Sequence, residues 1–231
     1  MILIERSLMN GVITIDGPAG AGKSTVSLLL AKKLGFLYLD TGAMYRAVAL
    51  NALRRGISFG DGRELHEMCR NIDINFISTG DNYRVYIGAE DISDEIRRPE
   101  MDMLSSKVST IKEVRDAMTG LQRRIGRKGR LVAEGRDMGT VVFPDANHKF
   151  FLTASPEARA GRRYAERLGR GESISMEEVE TELRKRDEQD ETRSIAPLKP
   201  AGDAIIIDTT PLGIDEVVEK IMVNIREQEK K

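Results

Sequence analysis

A glycine-rich segment near the start of the chain has the residue types and spacing of a phosphate-binding loop. The run Gly17-Pro18-Ala19-Gly20-Ala21-Gly22-Lys23-Ser24 fits the pattern G-x-x-x-x-G-K-[ST] at every defined position. We expect the phosphate-binding residues to run from Gly17 to Thr25. Their backbone N–H groups and the N-terminus of the helix predicted after the loop would surround a phosphate. We expect Lys23 to reach the outer phosphates and Ser24 to ligate Mg²⁺. The motif does not identify an acceptor, because GTPases, helicases and transporters share it.

Arginines crowd a later part of the chain, where they could neutralise phosphate charge. Transfer between two phosphate groups is mostly positioning and charge neutralisation, which guanidinium groups do well. The alternative is a solvated helix face with local ion pairs, such as Arg162 with Glu166 at i, i+4. Both interpretations stay open for Arg159, Arg167 and Arg170. The arginines of this part are Arg159, Arg162, Arg163, Arg167, Arg170, Arg184, Arg186 and Arg193.

Three residues at the end of this part have a spacing that favours function. Arg186, Asp190 and Arg193 lie at i, i+4 and i+7, so a helix would present them on one face. Val179 and Leu183 would supply the apolar stripe that docks this helix.

Composition excludes several classes of protein. The 231 residues carry 36 basic and 37 acidic side chains, a net charge of -1, so no general positive field would attract nucleic acid. One cysteine, Cys69, and two distant histidines, His66 and His148, predict neither a disulfide nor a zinc site. No apolar run approaches the roughly 20 residues of a membrane span. The first ten residues do not resemble a signal peptide, and we expect a cytoplasmic monomer.

The elements that must position these residues alternate between strand and helix. A β-branched run over residues 12–16 predicts a strand, and helical patterns follow Lys23 and Ala43 around a second strand at 36–40. Further strands are predicted at 131–134, 149–153 and 204–208, with a helix over 109–127 and a last one over 214–226. This order favours an α/β fold with about five parallel strands and helices on both faces.

Two segments differ from this alternation. Residues 72–76 and 83–87 alternate apolar and polar side chains around Gly80-Asp81-Asn82, which predicts an antiparallel hairpin, and residues 92–96 could add a third strand. Between the last two strands, Ser155-Pro156 and the Ser175/Glu178 capping box begin two charged helices that could form a lid. We predict one domain over 11–231, with an insertion at 60–105, a lid region at 155–193 and an extension at 1–10.

Three further segments, together with the phosphate-binding loop, resemble those of the bacterial cytidylate kinases. The first is Asp40-Thr41-Gly42-Ala43-Met44-Tyr45-Arg46. The second is Glu134-Gly135-Arg136-Asp137-Met138-Gly139-Thr140-Val141-Val142-Phe143-Pro144. The third joins Arg186-Asp187, Asp190, Arg193 and Ala196-Pro197-Leu198. Four ordered blocks are far more specific than one, and the similarity covers the chain from about Val12 onwards.

The resemblance implies a P-loop kinase fold and a phosphoryl transfer from ATP to CMP or dCMP, with Mg²⁺. Its catalytic cations would be Lys23, Arg136, Arg186 and Arg193, and its lid arginines Arg159, Arg162 and Arg163. Many relatives have Asp where this chain has Glu134. Both residues carry a carboxylate, which could hold Mg²⁺ through water. The CMP-binding residues would be Thr41, Tyr45, Arg46, Ser106, Arg115, Arg136, Asp137, Asp190 and Arg193.

The chemistry of cytosine agrees with this implied base site. A carboxylate at Asp137 can accept from the cytosine amino group, while Ser106 and Arg115 can donate to its acceptor atoms. Uracil would place a carbonyl against Asp137, and we therefore expect it to be rejected. The alternatives are a kinase for UMP, AMP or shikimate, or a nucleotide-dependent binding switch.

Overall fold

The computed structural model describes residues 11–79 and 82–229, which form two compact units. Leu39–Ile125 is one unit, and the chain before and after it forms the other. The predicted extension at residues 1–10 and the centre of the predicted hairpin turn, residues 80 and 81, lie outside the described residues. The predicted insertion at 60–105 falls within Leu39–Ile125, and its bounds stay a prediction.

The first unit is built on a five-stranded sheet in the order β2-β6-β1-β7-β8. The central strand β1 pairs in parallel with β6 and β7, and β7 pairs in parallel with β8. Ile13 and Ile15 on β1 are fully buried, as expected for a strand in the middle of a covered sheet. The predicted α/β class is confirmed. The strands are β1 (Val12–Asp16), β2 (Leu37–Asp40), β6 (Leu131–Gly135), β7 (His148–Thr153) and β8 (Ile205–Asp208).

Four helices and one π-helical turn complete this unit. Ser155 caps α6, with Pro156 in its first turn, and Ser175 and Glu178 form the predicted capping box of α7. Val179 and Leu183 are buried in a small cluster with Ala19 of the glycine-rich loop, as the apolar stripe predicted. The helices are α1 (Lys23–Leu34), α6 (Pro156–Gly169), α7 (Met176–Thr192) and α8 (Ile214–Gln228), and the π-helical turn is Met138–Val142.

The second unit combines helices with a three-stranded antiparallel sheet, β3-β4-β5. Among the described residues, no helix is both long and apolar enough to cross a membrane. The strands are β3 (Ile74–Thr79), β4 (Asn82–Ile87) and β5 (Glu90–Asp91). The helices are α2 (Thr41–Arg54), α3 (Gly62–Asn71), α4 (Pro99–Val108) and α5 (Lys112–Gly126), with a 3₁₀ turn at Glu95–Arg97.

Two expectations for the second unit were wrong, and two of its helices were missed. The third strand is Glu90–Asp91 and not residues 92–96, because Ile92 and Ile96 are buried on a helical turn that the Ile96 N–H closes onto the Ile92 carbonyl. The helix predicted from residue 109 begins at Lys112, since the backbone turns at Ser109–Ile111 after α4 ends. Helices α3 and α4 were not predicted. Asp61 caps α3, and Pro99 begins α4, so both had ordinary helix-start signals.

Gly17 and Gly120 give a matched test of how tightly the chain packs at the glycine-rich loop. Gly17 has φ +145°, and a Cβ there would lie 2.0 Å from the carbonyl oxygen of Leu152. Gly17→Ala should therefore lower the free energy of unfolding by about 3 kcal/mol or more. A Cβ at Gly120 on α5 meets nothing within 4 Å. Gly120→Ala should raise it by up to about 1 kcal/mol.

Denaturant unfolding followed by circular dichroism measures both changes. Equal, small effects of the two substitutions would show that the loop does not pack against β7 as described.

Candidate active site

The glycine-rich loop leads directly from β1 into the N-terminus of α1. Gly22 precedes the helix in a left-handed conformation, φ 86°, and makes no side-chain cap. The first turn of α1 contains no acidic residue. The positive end of the helix dipole is therefore left for a bound anion. Ser24 and Thr25 are exposed in this turn, where their hydroxyl groups can reach a ligand.

Lys23 is a buried cation in this loop. Lys23 is only 6% exposed, and its Nζ donates a hydrogen bond to the Pro18 carbonyl at 2.7 Å. Burial, followed by the nearby charges of Arg136 and Arg186, lowers the pKa of Lys23 to about 7. Glu134 and Asp190 act in the opposite direction. A phosphate bound here would replace lost hydration and favour the charged ammonium.

Asp190 at the end of α7 organises two of the predicted phosphate-binding arginines. Arg136 Nε donates to Asp190 Oδ2 at 2.7 Å, and Arg193 Nη1 lies 3.8 Å from Asp190 Oδ1. Burial opposes ionisation of Asp190, but the charges of Arg136 and Arg186 hold its pKa below the ordinary value. Arg193 follows the last residue of α7, and its Nε donates to the Ala196 carbonyl at 2.6 Å. The predicted i, i+4, i+7 set thus meets around one carboxylate.

Two more acidic residues of the predicted site lie in the same unit. Asp137 is 2% exposed, and its Oδ1 lies 3.7 Å from Arg193 Nη2. Glu134 is 3% exposed and accepts a short hydrogen bond from the Tyr38 hydroxyl group. The first unit therefore holds buried charges of both signs, with cations and carboxylates close together beside the phosphate-binding loop.

Two of the three predicted lid arginines are engaged with the protein's own backbone. Arg159 is 8% exposed, pairs with Asp187 at 2.6 Å, and donates to the carbonyl of Ala19 in the glycine-rich loop at 3.1 Å. Arg162 donates to the hydroxyl and the carbonyl of Thr209 at 2.9 and 2.5 Å. Both guanidinium groups therefore bind α6 to other segments of the chain.

The other arginines of α6 form ion pairs. Glu166 pairs with Arg163 and Arg170, and not with Arg162, the example given for the ion-pair alternative. Arg167 is buried and binds Glu172 and Glu182 at 2.6 Å each. The structure thus supports the local ion-pair interpretation for Arg167 and Arg170.

The second unit contains its own group of predicted site residues, beginning with Arg46 on α2. Asp40 caps α2 by accepting from the Ala43 N–H at 2.8 Å, and its other oxygen lies 3.4 Å from Arg46 Nη2. Asp102 on α4 lies 3.7 Å from Arg46 Nη1. Arg46 Nε is buried and has no hydrogen-bond partner among the described residues. This guanidinium is positioned by two carboxylates and keeps a donor available for a ligand.

The predicted cytosine-reading pair is also in this unit. Ser106 is 4% exposed, and its hydroxyl group has no hydrogen-bond partner among the described residues. Arg115 is 3% exposed, donates to the Ser109 carbonyl at 3.1 Å, and lies over the ring of Tyr45 with 5.8 Å to the centroid. Thr41, at the start of α2, is buried. A buried unsatisfied hydroxyl group is costly, so Ser106 is a strong candidate for contact with a ligand.

Sequence reasoning missed three residues that support the site. Asp16 binds the Met138 and Gly139 N–H groups at 2.8 Å each. The hydroxyl group of Thr209 lies 3.2 Å from the Ala21 carbonyl of the glycine-rich loop. Tyr38 binds Glu134. Asp16 is the last residue of β1 and Thr209 directly follows β8, so both lie at carboxyl ends of strands, where ligand-binding residues concentrate in parallel sheets.

Comparison with known proteins gives matches along nearly the whole chain. The sequence model of the family described as "Cytidylate kinase" matches residues 13–227. A cytidylate kinase of Geobacter sp. (strain M21) is 52% identical over 95% of this chain and 94% of its own length. One from Carboxydothermus hydrogenoformans is 51% identical over 91% of this chain and 95% of its own length.

Solved structures with the same fold are much more distant in sequence. A shikimate kinase from Acinetobacter baumannii has a TM-score of 0.50 at 15% identity, covering 98% of this chain and 99% of that protein. A gluconokinase from Sinorhizobium meliloti 1021 has a TM-score of 0.50 at 13% identity, covering 96% and 95%. At these identities the likeness shows the fold alone.

Replacing Lys23 by the neutral Met should stabilise the nucleotide-free protein. The folded-state pKa of Lys23, about 7, is below the ordinary lysine value of 10.5, so folding disfavours the charged ammonium. This cost to the free energy of folding is fully present below pH 7. It diminishes as the pH rises towards 10.5, the pKa of lysine in the unfolded chain. At pH 6 we expect Lys23→Met to raise the free energy of unfolding by about 1–3 kcal/mol, since losing the bond to Pro18 offsets part of the gain.

Urea unfolding of the two proteins at pH 6 and pH 9.5 measures this difference, which should be smaller at pH 9.5. A variant that is less stable than the parent at pH 6 would contradict the claim that burial of the charged Lys23 side chain destabilises the folded protein.

Proposed function

Because this chain belongs to the cytidylate kinase family, we propose that it transfers the γ-phosphoryl group of ATP to the phosphate of CMP or dCMP. One observation carries the chemistry. Lys23, a buried cation on the phosphate-binding loop, is surrounded by the charges of Arg136 and Arg186, with Arg193 held by the same Asp190. Phosphate groups brought together here lose most of their mutual repulsion, which is the main barrier to their reaction.

The reaction requires no general base. A phosphate monoester has its second pKa at about 6, so the attacking phosphate of CMP is mostly dianionic at neutral pH. One of its oxygens attacks the γ-phosphorus in line, the bond to the β–γ bridging oxygen breaks, and ADP leaves. Lys23, Arg136, Arg186 and Arg193 offset the charge that shifts between the two nucleotides.

The residues present fit a Mg²⁺ ion that is bound mainly through the substrate. Mg²⁺ prefers oxygen ligands and is usually held by one or two protein groups, several waters and substrate phosphates. The exposed Ser24 hydroxyl and the Glu134 carboxylate are such groups. No cluster of three or more His, Cys, Asp or Glu residues suited to a metal ion occurs in the described part of the chain. When bound, Mg²⁺ would add positive charge at the β- and γ-phosphates.

We propose the following CMP-binding roles, given for each unit by itself. In the second unit, Arg46 binds the CMP phosphate beside Thr41 and Tyr45, and Ser106 and Arg115 donate to the base. The unsatisfied hydroxyl group of Ser106 and the unpaired Nε of Arg46 support these roles. In the first unit, Asp137 accepts from the cytosine amino group, and Asp190 accepts from the sugar hydroxyl groups.

Helices α6 and α7 are proposed to act as a lid that carries Arg159, Arg162 and Arg163. Closure over the substrates would exclude water, which would otherwise hydrolyse ATP. The bonds of Arg159 and Arg162 to Ala19 and Thr209 support a coupling of α6 to the phosphate-binding loop. Cytoplasmic location, a monomeric state and the absence of nucleic-acid binding stay predictions from the sequence.

An ADP-release assay across CMP, dCMP, UMP, AMP and shikimate tests the acceptor, with Asp137→Asn as the specificity variant. We expect CMP and dCMP to be used far better than the others. Asp137→Asn should lower kcat/KM for CMP by about tenfold to a hundredfold, because an amide presents a donor to the cytosine amino group, while KM for ATP changes little.

The matched control is Asp145→Asn, an exposed carboxylate a few residues further along, which should change neither value. Equal losses for CMP and ATP would place Asp137 outside the base site. ADP release that needs no acceptor would favour a nucleotide-dependent switch.

A further inference from the structure

A π-helical turn, Met138–Val142, directly follows Arg136 and Asp137 in the chain. The side chain of Asp137 does not cap this turn, although Asp137 occupies its N-cap position. Aspartate at an N-cap ordinarily accepts from the N–H groups of the following turn. The turn begins with two such groups, on Met138 and Gly139, and both residues are buried, so leaving these N–H groups unbonded would be costly.

Asp16, which is 122 positions earlier than Met138, caps this turn instead. Its Oδ1 accepts from the Met138 N–H and its Oδ2 from the Gly139 N–H, each at 2.8 Å. Asp16 is the last residue of β1, directly before Gly17, and is 4% exposed. One rigid strand end therefore fixes the chain direction immediately after Asp137.

The turn packs closely against this strand end. A Cβ at Gly139 would lie 3.0 Å from the Thr14 hydroxyl oxygen, 3.3 Å from Lys149 Cδ and 3.4 Å from Asp16 Oδ2. The glycine therefore allows the short contact, and a small displacement of the turn would break both hydrogen bonds. Asp137, one residue before Met138, would move with it.

We propose that Asp16 is a positioning residue for base selection, which holds Asp137 where its carboxylate can discriminate cytosine from uracil. This inference rests on the proposed CMP kinase function. Asp16, and not Asp137, accepts from the first two N–H groups of the turn, and it thereby fixes the backbone that carries Asp137. Asp16 also connects the phosphate-binding loop, which it precedes, with the segment that reads the acceptor base.

The ionisation of Asp16 offers a readout that a merely structural role would not change. Burial raises the pKa of Asp16 from 3.8 to about 6, against its two backbone hydrogen bonds. The nearby charge of Asp137 adds to this rise and that of Lys23 opposes it. Protonation turns one carboxylate oxygen of Asp16 into a hydroxyl group, which is a poorer acceptor. The hydrogen bonds from Asp16 to the turn should therefore weaken as the pH falls through about 6.

The test is the ratio of kcat/KM for CMP to kcat/KM for UMP, measured for the parent, Asp16→Asn and Asp208→Asn between pH 5.5 and pH 8. Taking a ratio cancels the titration of the substrate phosphate, which both nucleotides share. Asp208 is the matched control: it ends β8 and accepts from the Thr210 N–H at 2.8 Å, but it is exposed.

We expect the parent's ratio to fall on acidification through about pH 6. Asp16→Asn should lower the ratio about tenfold at pH 8, since its amide can accept only one of the two N–H bonds, and should remove the pH dependence. Asp208→Asn should match the parent. An Asp16→Asn protein that is less thermally stable but keeps the parent's ratio and pH profile would overturn the proposal.

Amide chemical shifts in the unaltered protein keep the test independent of how the variant folds. The Met138 and Gly139 signals should titrate together with a midpoint of about 6, and signals that do not move would contradict the proposal. If the parent phosphorylates neither nucleotide, the proposed function itself has failed. If it phosphorylates CMP well and the variant's ratio is unchanged, only the role of Asp16 has failed.

Discussion

The concentration of buried positive charge beside the phosphate-binding loop is the constraint on which the rest of the first unit depends. Lys23 is almost fully buried, and Arg136 and Arg186 act on it at close range. Such an arrangement is unfavourable without counter-charges, and Asp190 and Glu134 supply them. The protein therefore holds these cations in place with carboxylates, while burial and the neighbouring arginines still keep the pKa of Lys23 low. An added anion beside Lys23 would favour its charged form.

The elements around this charge cluster are arranged to keep it rigid. The loop leaves the central strand β1 and enters α1, and its carbonyl groups are held by Arg159 and Thr209 from the neighbouring chain segments. Asp16, at the end of the same strand, fixes the turn that follows Asp137. A preorganised site does not have to reorient its dipoles during the reaction, and this is where most electrostatic catalysis comes from. The second unit has a different property: buried donors such as the Ser106 hydroxyl group have no hydrogen-bond partner among the described residues.

Much of the fold could be predicted because its signals are local. The glycine-rich motif, the β-branched run before it and the Ser155 and Ser175 caps each determine their own conformation, and all were found where expected. The second unit was less predictable, since Ile92 and Ile96 are apolar in a pattern that suits either a strand or a buried turn. The structural roles of Asp16, Arg159 and Thr209 could not have been found from spacing, because each bonds to a segment far away in the sequence.

Phosphorus-31 NMR of the protein with ATP, Mg²⁺ and CMP tests the central claim most directly, because it identifies where the transferred phosphorus goes. If the cation cluster brings two nucleotides together for direct transfer, the β-phosphate signal of CDP should grow in step with the signals of ADP, with little inorganic phosphate. Inorganic phosphate that accumulates at the rate of ADP formation, without CDP, would show that water and not CMP receives the phosphoryl group.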